Sequence, residues 1–248
     1  MTSIDWAAPT EQLALTGSAV HVWRATLRLP EAQVARLACL LNAEEQARAR
    51  RLRFEDKRQS FVAARGILRS ILGRYLGISP QQIQFSYTAH GKPELAASHT
   101  TELQFNLAHS GDLALVALAN GRPIGVDLES LRPIEAIDQI VAGYFSLAER
   151  AAFQQLPLEH RLTAFFAAWT RKEAYLKARG EGLTLPLDQA EVAFLPSEAP
   201  TLSADGQRPS GATSWVLLDL DTAPGYRAAL AVLGPVGELA AWQWPAGG

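Results

Sequence analysis

Cysteine, charge of one sign and long apolar runs are all scarce in this sequence, and each shortage removes a class of protein. A single cysteine, Cys39, among 248 residues leaves no internal disulfide and no cysteine-built zinc site, which fits a reducing compartment. Lys+Arg 23 against Asp+Glu 25 leaves a net charge of −2, so there is no general attraction to a polyanion and a nucleic-acid partner is disfavoured. No apolar run approaches the ~18 residues of a membrane span. Residues 1–6 carry no basic stretch of a targeting signal, so the expectation is a soluble, cytoplasmic chain with no membrane partner. What is present is ordinary for a globular protein: 48% hydrophobic and 19% charged residues exclude disorder, collagen-like repeats and coiled coil. At ~100–200 residues per domain the chain makes one large domain or two modest ones, and is long enough for an enzyme.

Patterning predicts a strand over 20–29, then helices, one opened by Asn42 with Glu45 as its reciprocal capping partner and a longer one over 56–75 closed by Gly77. Strands are predicted over 83–87, 103–107 and 113–119, with a turn at His109-Ser110-Gly111-Asp112. The same order begins again with a strand over 123–129, a short helix over 135–143 and a second capping box from Ser146 to Glu149. A long helix over 159–178 ends at Gly180 and Gly182, and strands follow over 190–195, 214–220 and 226–232. The segment 196–211, rich in Pro, Ser and Gly, reads as a loop. This repetition predicts an α+β protein of two similar α/β halves related by a pseudo-twofold, residues 1–119 and 120–248, with the active site in the cleft between them.

Several constellations could carry chemistry. In Gly125-Val126-Asp127-Leu128-Glu129, strand alternation puts both carboxylates on one face, where they could converge on a hard cation such as Mg²⁺. Taken alone, the pair also reads as two solvated acids on an exposed strand. Trp169, Glu173 and Lys177 fall at i, i+4 and i+8 of the second long helix, a stripe that could line a cleft or be a core aromatic beside a common surface ion pair. Phe105-Asn106-Leu107-Ala108-His109-Ser110-Gly111 delivers a histidine and a serine to a turn, and His90-Gly91-Lys92-Pro93 holds out a lysine. A run of cations from Arg48 to Arg74 could bind phosphate or an acidic surface, or be the wet side of amphipathic helices.

In this order the motifs resemble one family, the Sfp-type 4′-phosphopantetheinyl transferases. The family's G-[VI]-D-[LIV]-E strand stands here as Gly125 to Glu129, and its W-x-x-K-E-x-x-x-K helix followed by G-x-G-L stands as Trp169 to Lys177 with Gly180 to Leu183. The F-N-[LI]-x-H-S-G and G-K-P elements are Phe105 to Gly111 and Gly91 to Pro93. The resemblance implies Mg²⁺-dependent transfer of the phosphopantetheine arm of coenzyme A to a serine hydroxyl of an apo acyl or peptidyl carrier protein, with release of 3′,5′-ADP. It implies that Asp127, Glu129 and Glu173 hold the metal, and that Lys177 neutralises pyrophosphate charge. His109 and Lys92 would contact coenzyme A phosphates, Ser110 would belong to the same cofactor-binding turn, and Arg48 falls where the family has a basic residue near the 3′-phosphate. Ala108 stands where many members have serine, which implies one lost hydroxyl contact and weaker coenzyme A binding.

Displacement at phosphorus needs positioning and charge neutralisation more than covalent help, which suits these residue types. Glu173, directly or through a metal-bound water, is the first candidate base for the serine hydroxyl and His109 the second. The family's carrier partner is an acidic helical domain, which the arginine-rich helices would suit, and a monomer suffices because both halves lie in one chain. Two rivals are weighed against this. A nuclease with an Asp and Glu-x-Lys site would place its lysine two positions after the acid on a strand, whereas Lys177 follows Glu173 by four on a helix. A degenerate carrier-binding module would have no need of three intact acids and Lys177.

Overall fold

The computed structural model describes residues 4–10, 13–180, 186–195, 198–204 and 214–245. Gly182 and Leu183 of the family-like motif lie outside the described residues, as does most of the predicted loop 196–211.

The chain opens with strand β1 (Ala19–Thr26), followed by helices α1 (Glu31–Ala38), α2 (Ala43–Arg51) and α3 (Glu55–Leu76). A small hairpin, β2 (Phe85–Tyr87) and β3 (Pro93–Leu95), leads to β4 (Leu103–Ser110) and β5 (Leu113–Asn120). The order then begins again: β6 (Ile124–Ser130), α4 (Ile137–Tyr144), α5 (Leu147–Gln155), α6 (Leu158–Arg179), a hairpin of β7 (Ala190–Val192) and β8 (Leu202–Ala204), then β9 (Trp215–Asp219) and β10 (Tyr226–Leu233). A last strand, β11 (Glu238–Gln243), returns to the first sheet and pairs parallel with β1. The result is α+β, with one sheet ordered β11-β1-β5-β4 and another ordered β6-β10-β9.

These sheets lie face to face between two helical layers, because their central strands are apolar on both sides. On β1, Val20 and Val22 face the other sheet while Trp23 and Ala25 face α3. On β6, Ile124, Val126 and Leu128 face inward, as do Ala228, Leu230 and Val232 of β10. Ala229 and Ala231 turn the other way, toward Phe166 and Ala174 of α6.

The two halves also share a buried device. Asn42 and Ser146 each cap a helix in a reciprocal capping box, with Glu45 and Glu149 as the partners. Both glutamates are buried, and each meets a cation from the long helix that follows: Arg69 Nε lies 2.7 Å from Glu45, and Lys172 Nζ lies 2.7 Å from Glu149. Arg69 also donates to the carbonyls of Pro80 and Ile83, as Lys172 does to those of Leu187 and Ala190. Each cation is the fifteenth residue of a 22-residue helix that ends at a left-handed glycine, Gly77 or Gly180. Each therefore clamps its helix to the short segment leading into the hairpin. Paired and hydrogen-bonded in this way, buried charges are tolerable, whereas either partner alone would not be.

The structure corrects several sequence expectations. The turn after β4 is shorter than predicted: β4 runs through Ser110, leaving Gly111, at φ 56°, and Asp112 to reverse the chain. The strand predicted over 83–87 starts only at Phe85, because a 3-10 turn precedes it, and the strand predicted over 190–195 stops at Val192. Residues 202–204, predicted as loop, form β8. No helix among the described residues is long and apolar enough to cross a membrane.

Candidate active site

Two elements of the second half build the charged centre. On β6, Gly125, Asp127 and Glu129 share the face turned to α6. A side chain on Gly125 would meet Ala174 O at 2.1 Å and Ala178 N at 2.3 Å, so the bare backbone is what lets α6 lie directly on the strand. Spacing of i, i+4 then puts Glu173 and Lys177 of α6 over the carboxylates. Lys177 Nζ donates to Asp127 Oδ1 at 2.6 Å, while Asp127 Oδ2 is buried and has no hydrogen-bond partner. Glu129 Oε2 accepts from Ser110 Oγ at 2.9 Å and from Arg132 Nη1 at 3.0 Å.

The first half supplies the opposing wall. A pocket of about 290 Å³ is lined by Lys92 and its turn, by Asn106 and Leu107 of β4, and by Glu173, Lys177 and Gly180 of the second half. Gly91 adopts φ 78° in the turn between β2 and β3, which presents Lys92. The Lys92 ammonium donates to Lys177 O at 2.6 Å, at the last turn of α6, where helix carbonyls lack intrahelical partners.

Electrostatics mark the same centre. Burial raises the Asp127 carboxyl above its ordinary value, and Glu129 adds to the rise, against the opposing pull of Lys177 and the Leu128 amide. Burial, followed by the charges of Asp127 and Glu129, also raises Glu173, with Lys177 opposing. His109 is lowered by desolvation and then by the cations Lys177 and Lys57, even though part of its ring reaches solvent. It is therefore neutral at pH 7 and able to accept a proton.

The three acids suit a hard cation in chemistry: all are oxygen donors, Asp127 Oδ2 is buried and unpartnered, and two of them are destabilised as anions. Among the described residues, however, no three His, Cys, Asp or Glu side chains stand close enough together to hold a metal as they are. Lys177 holds Asp127 Oδ1, and Ser110 and Arg132 hold Glu129 Oε2.

Of the predicted site residues, Glu173, Lys177, Lys92, Asp127, Glu129, His109 and Ser110 fall in or beside this cleft. Arg48 stands apart, exposed on α2 with its guanidinium over the Phe61 ring at 5.5 Å. Trp169, from the same helical stripe as Glu173, stacks on Phe165 in the core and does not line the pocket. Two residues gain roles that the motifs did not give them. Lys57, in the first turn of α3, reaches His109 electrostatically, and a cation beginning a helix inside the basic run was the only available signal. Asn106 lines the pocket and holds β6; it stands in the F-N-[LI]-x-H-S-G element, whose chemistry the sequence assigned to His109 and Ser110.

The family model described as the 4′-phosphopantetheinyl transferase superfamily matches residues 123–231, and that described as 4′-phosphopantetheinyl transferase, N-terminal, matches residues 23–121. The chain is 42% identical over 235 residues to the 4′-phosphopantetheinyl transferase HetI of Nostoc sp., covering 94% of this chain and 96% of that one. It is 26% identical over 211 residues to the 4′-phosphopantetheinyl transferase Sfp of Bacillus subtilis, covering 84% and 88%. Among solved structures, a holo-(acyl-carrier-protein) synthase from Bacillus anthracis in complex with CoA (3′,5′-ADP) matches at 28% identity and a TM-score of 0.36, over 45% of this chain and 94% of that chain.

Proposed function

The chain belongs to the 4′-phosphopantetheinyl transferase superfamily, and from that premise we infer that its cleft moves the 4′-phosphopantetheine arm of coenzyme A onto a serine hydroxyl of an apo carrier protein. The observation that carries this reading is the meeting of Lys177, Asp127 and Glu173 beside a pocket whose other wall bears Lys92.

The attacking serine oxygen forms a new P–O bond as the bond to the departing 3′,5′-ADP oxygen breaks, and the hydroxyl proton goes to a base. Glu173, directly or through a water, is that base by this reading, and His109 is second. Lys177 and Lys92 neutralise phosphate charge, with Lys57 and Ser110 beside them completing the coenzyme A contacts. Asp127, Glu129 and Glu173 would hold Mg²⁺, which when bound supplies further neutralisation of the pyrophosphate. Lys177, which holds Asp127 Oδ1 here, would leave that oxygen open to such a cation if it turned to the phosphate. We place the chain in the cytoplasm as a monomer, with an acidic helical carrier docking on the arginine-bearing end of α2 and the start of α3. Release of 3′,5′-ADP from coenzyme A should require both an apo carrier and a divalent cation. Release without a carrier, or unimpaired release in excess chelator, would contradict the reading.

A further inference from the structure

Strands β4 and β6 are the facing edges of the two sheets and lie in contact, yet among the described residues no backbone ladder joins them. Two side chains of β4 bridge the gap. Asn106 Oδ1 accepts from the Val126 amide at 2.8 Å, and Ser110 Oγ accepts from the Ser130 amide at 3.0 Å. Ser110 Oγ also donates to Glu129 Oε2 at 2.9 Å. Both pairs are spaced by four residues on their strands, so the two rungs bracket Asp127 and Glu129.

We propose that Asn106 is a positioning residue for arm transfer: its side-chain carbonyl, locked on the Val126 amide, sets where the carboxylate strand lies against the half that carries Lys92 and His109. The inference rests on the transferase reading. Three features support it. Asn106 is buried, so its amide is not a solvated surface group that happens to lie near β6. The Val126 amide points away from β10 at the edge of its sheet, and with no β4 backbone partner it would otherwise be a buried donor without an acceptor. Asn106 also lines the pocket at the point where the two halves meet, so a shift there moves one wall against the other. Lateral displacement of reacting groups by about 1 Å is enough to lose ~10²-fold in rate.

The test uses the full chain and two independent readouts. Hydrogen exchange at the Val126 amide should be at least about tenfold faster in Asn106→Ala than in the wild type, whether or not substrate is present. In carrier-loading assays below the melting midpoint, with rates scaled to the folded fraction, Asn106→Ala should lower kcat by ~10²-fold. Its KM for coenzyme A should stay within about threefold, because the loss falls on the reaction step rather than on uniform binding. Asn106→Ser, whose hydroxyl can accept as that of Ser110 does, should recover part of the loss. If Asn106→Ala does not fold, Asn106→Ser against the wild type carries the comparison, with faster Val126 exchange and a smaller loss of kcat expected. Unchanged Val126 exchange would overturn the rung itself. Unchanged kcat, or a loss explained by the unfolded fraction and not relieved by serine, would overturn the positioning role. A wild-type chain that transfers nothing would instead overturn the transferase reading, and the catalytic part of this proposal with it, while Val126 exchange still tests the rung.

Discussion

At the scale of single residues, Asp127 is where the site concentrates its cost. Its carboxylate is buried, shares the cleft with two other acids and has one oxygen on Lys177 and the other on nothing. Asp127→Ala should therefore remove transfer, by about 10²-fold or more. The fold should survive, because Lys177 keeps access to water; circular dichroism and carrier loading check the two halves of that statement. Glu173 gives a pH prediction. Its folded-state carboxyl is raised above the 4.5 of the unfolded chain, so its favourable contribution to stability is present below 4.5 and is lost as pH rises through the raised value. Metal-free Glu173→Gln should then be more stable than the wild type at neutral pH, with the gap closing as pH falls toward 4.5. Thermal melts across that range would show it, and a constant gap would contradict it. Such a gain in stability with loss of activity is what an active-site acid predicts.

At the scale of elements, the site depends on how closely α6 lies on β6. Gly125→Ala puts a methyl group within 2.1 Å of the Ala174 carbonyl oxygen, so the helix must move. Overpacking of this kind costs typically ~1–3 kcal/mol and here should also separate Glu173 and Lys177 from Asp127. Denaturant unfolding together with carrier loading would test both effects. Lys172→Met leaves Glu149 buried without its cation and should cost about 3–5 kcal/mol, whereas Arg69→Met should cost less, because Arg65 Nε remains 3.4 Å from Glu45, and only the first touches the helix that carries Glu173. Much of this was legible in the sequence. Capping boxes at Asn42 and Ser146 and glycines after both long helices are local signals, and local signals fixed those helices nearly to the residue. The G-V-D-L-E strand and the W-x-x-K-E-x-x-x-K helix likewise put the acids and Lys177 on facing surfaces. Features made by distant pairing were not legible. β11 is a short mixed stretch whose reason for being a strand is β1, more than 200 residues earlier in the chain. Asn106 and Lys92 act through backbone groups of the other half, and no pattern around either residue announces that.

At the scale of the whole molecule, we propose that the repeat boundary falls between residues 119 and 120, with catalytic groups drawn from both sides. β11 makes the halves interdependent, since it is parallel to β1 and closes the edge of the first sheet. A fragment of residues 1–119 lacks that strand and exposes the apolar face formed by Val20, Val22, Leu115 and Ala117. It should therefore show no cooperative melting transition unless the rest of the chain is supplied, and a sharp two-state melt of the fragment alone would contradict this. The central claim concerns both halves together: arm transfer in a cleft whose acids need a cation. Its most direct test is the intact mass of an apo carrier protein after incubation with this chain and coenzyme A, with Mg²⁺ and separately with excess chelator. The account predicts a gain of one phosphopantetheine arm that the chelator abolishes. No gain on fatty-acid, polyketide or peptidyl carriers, or a gain that persists in full under chelation, would contradict it.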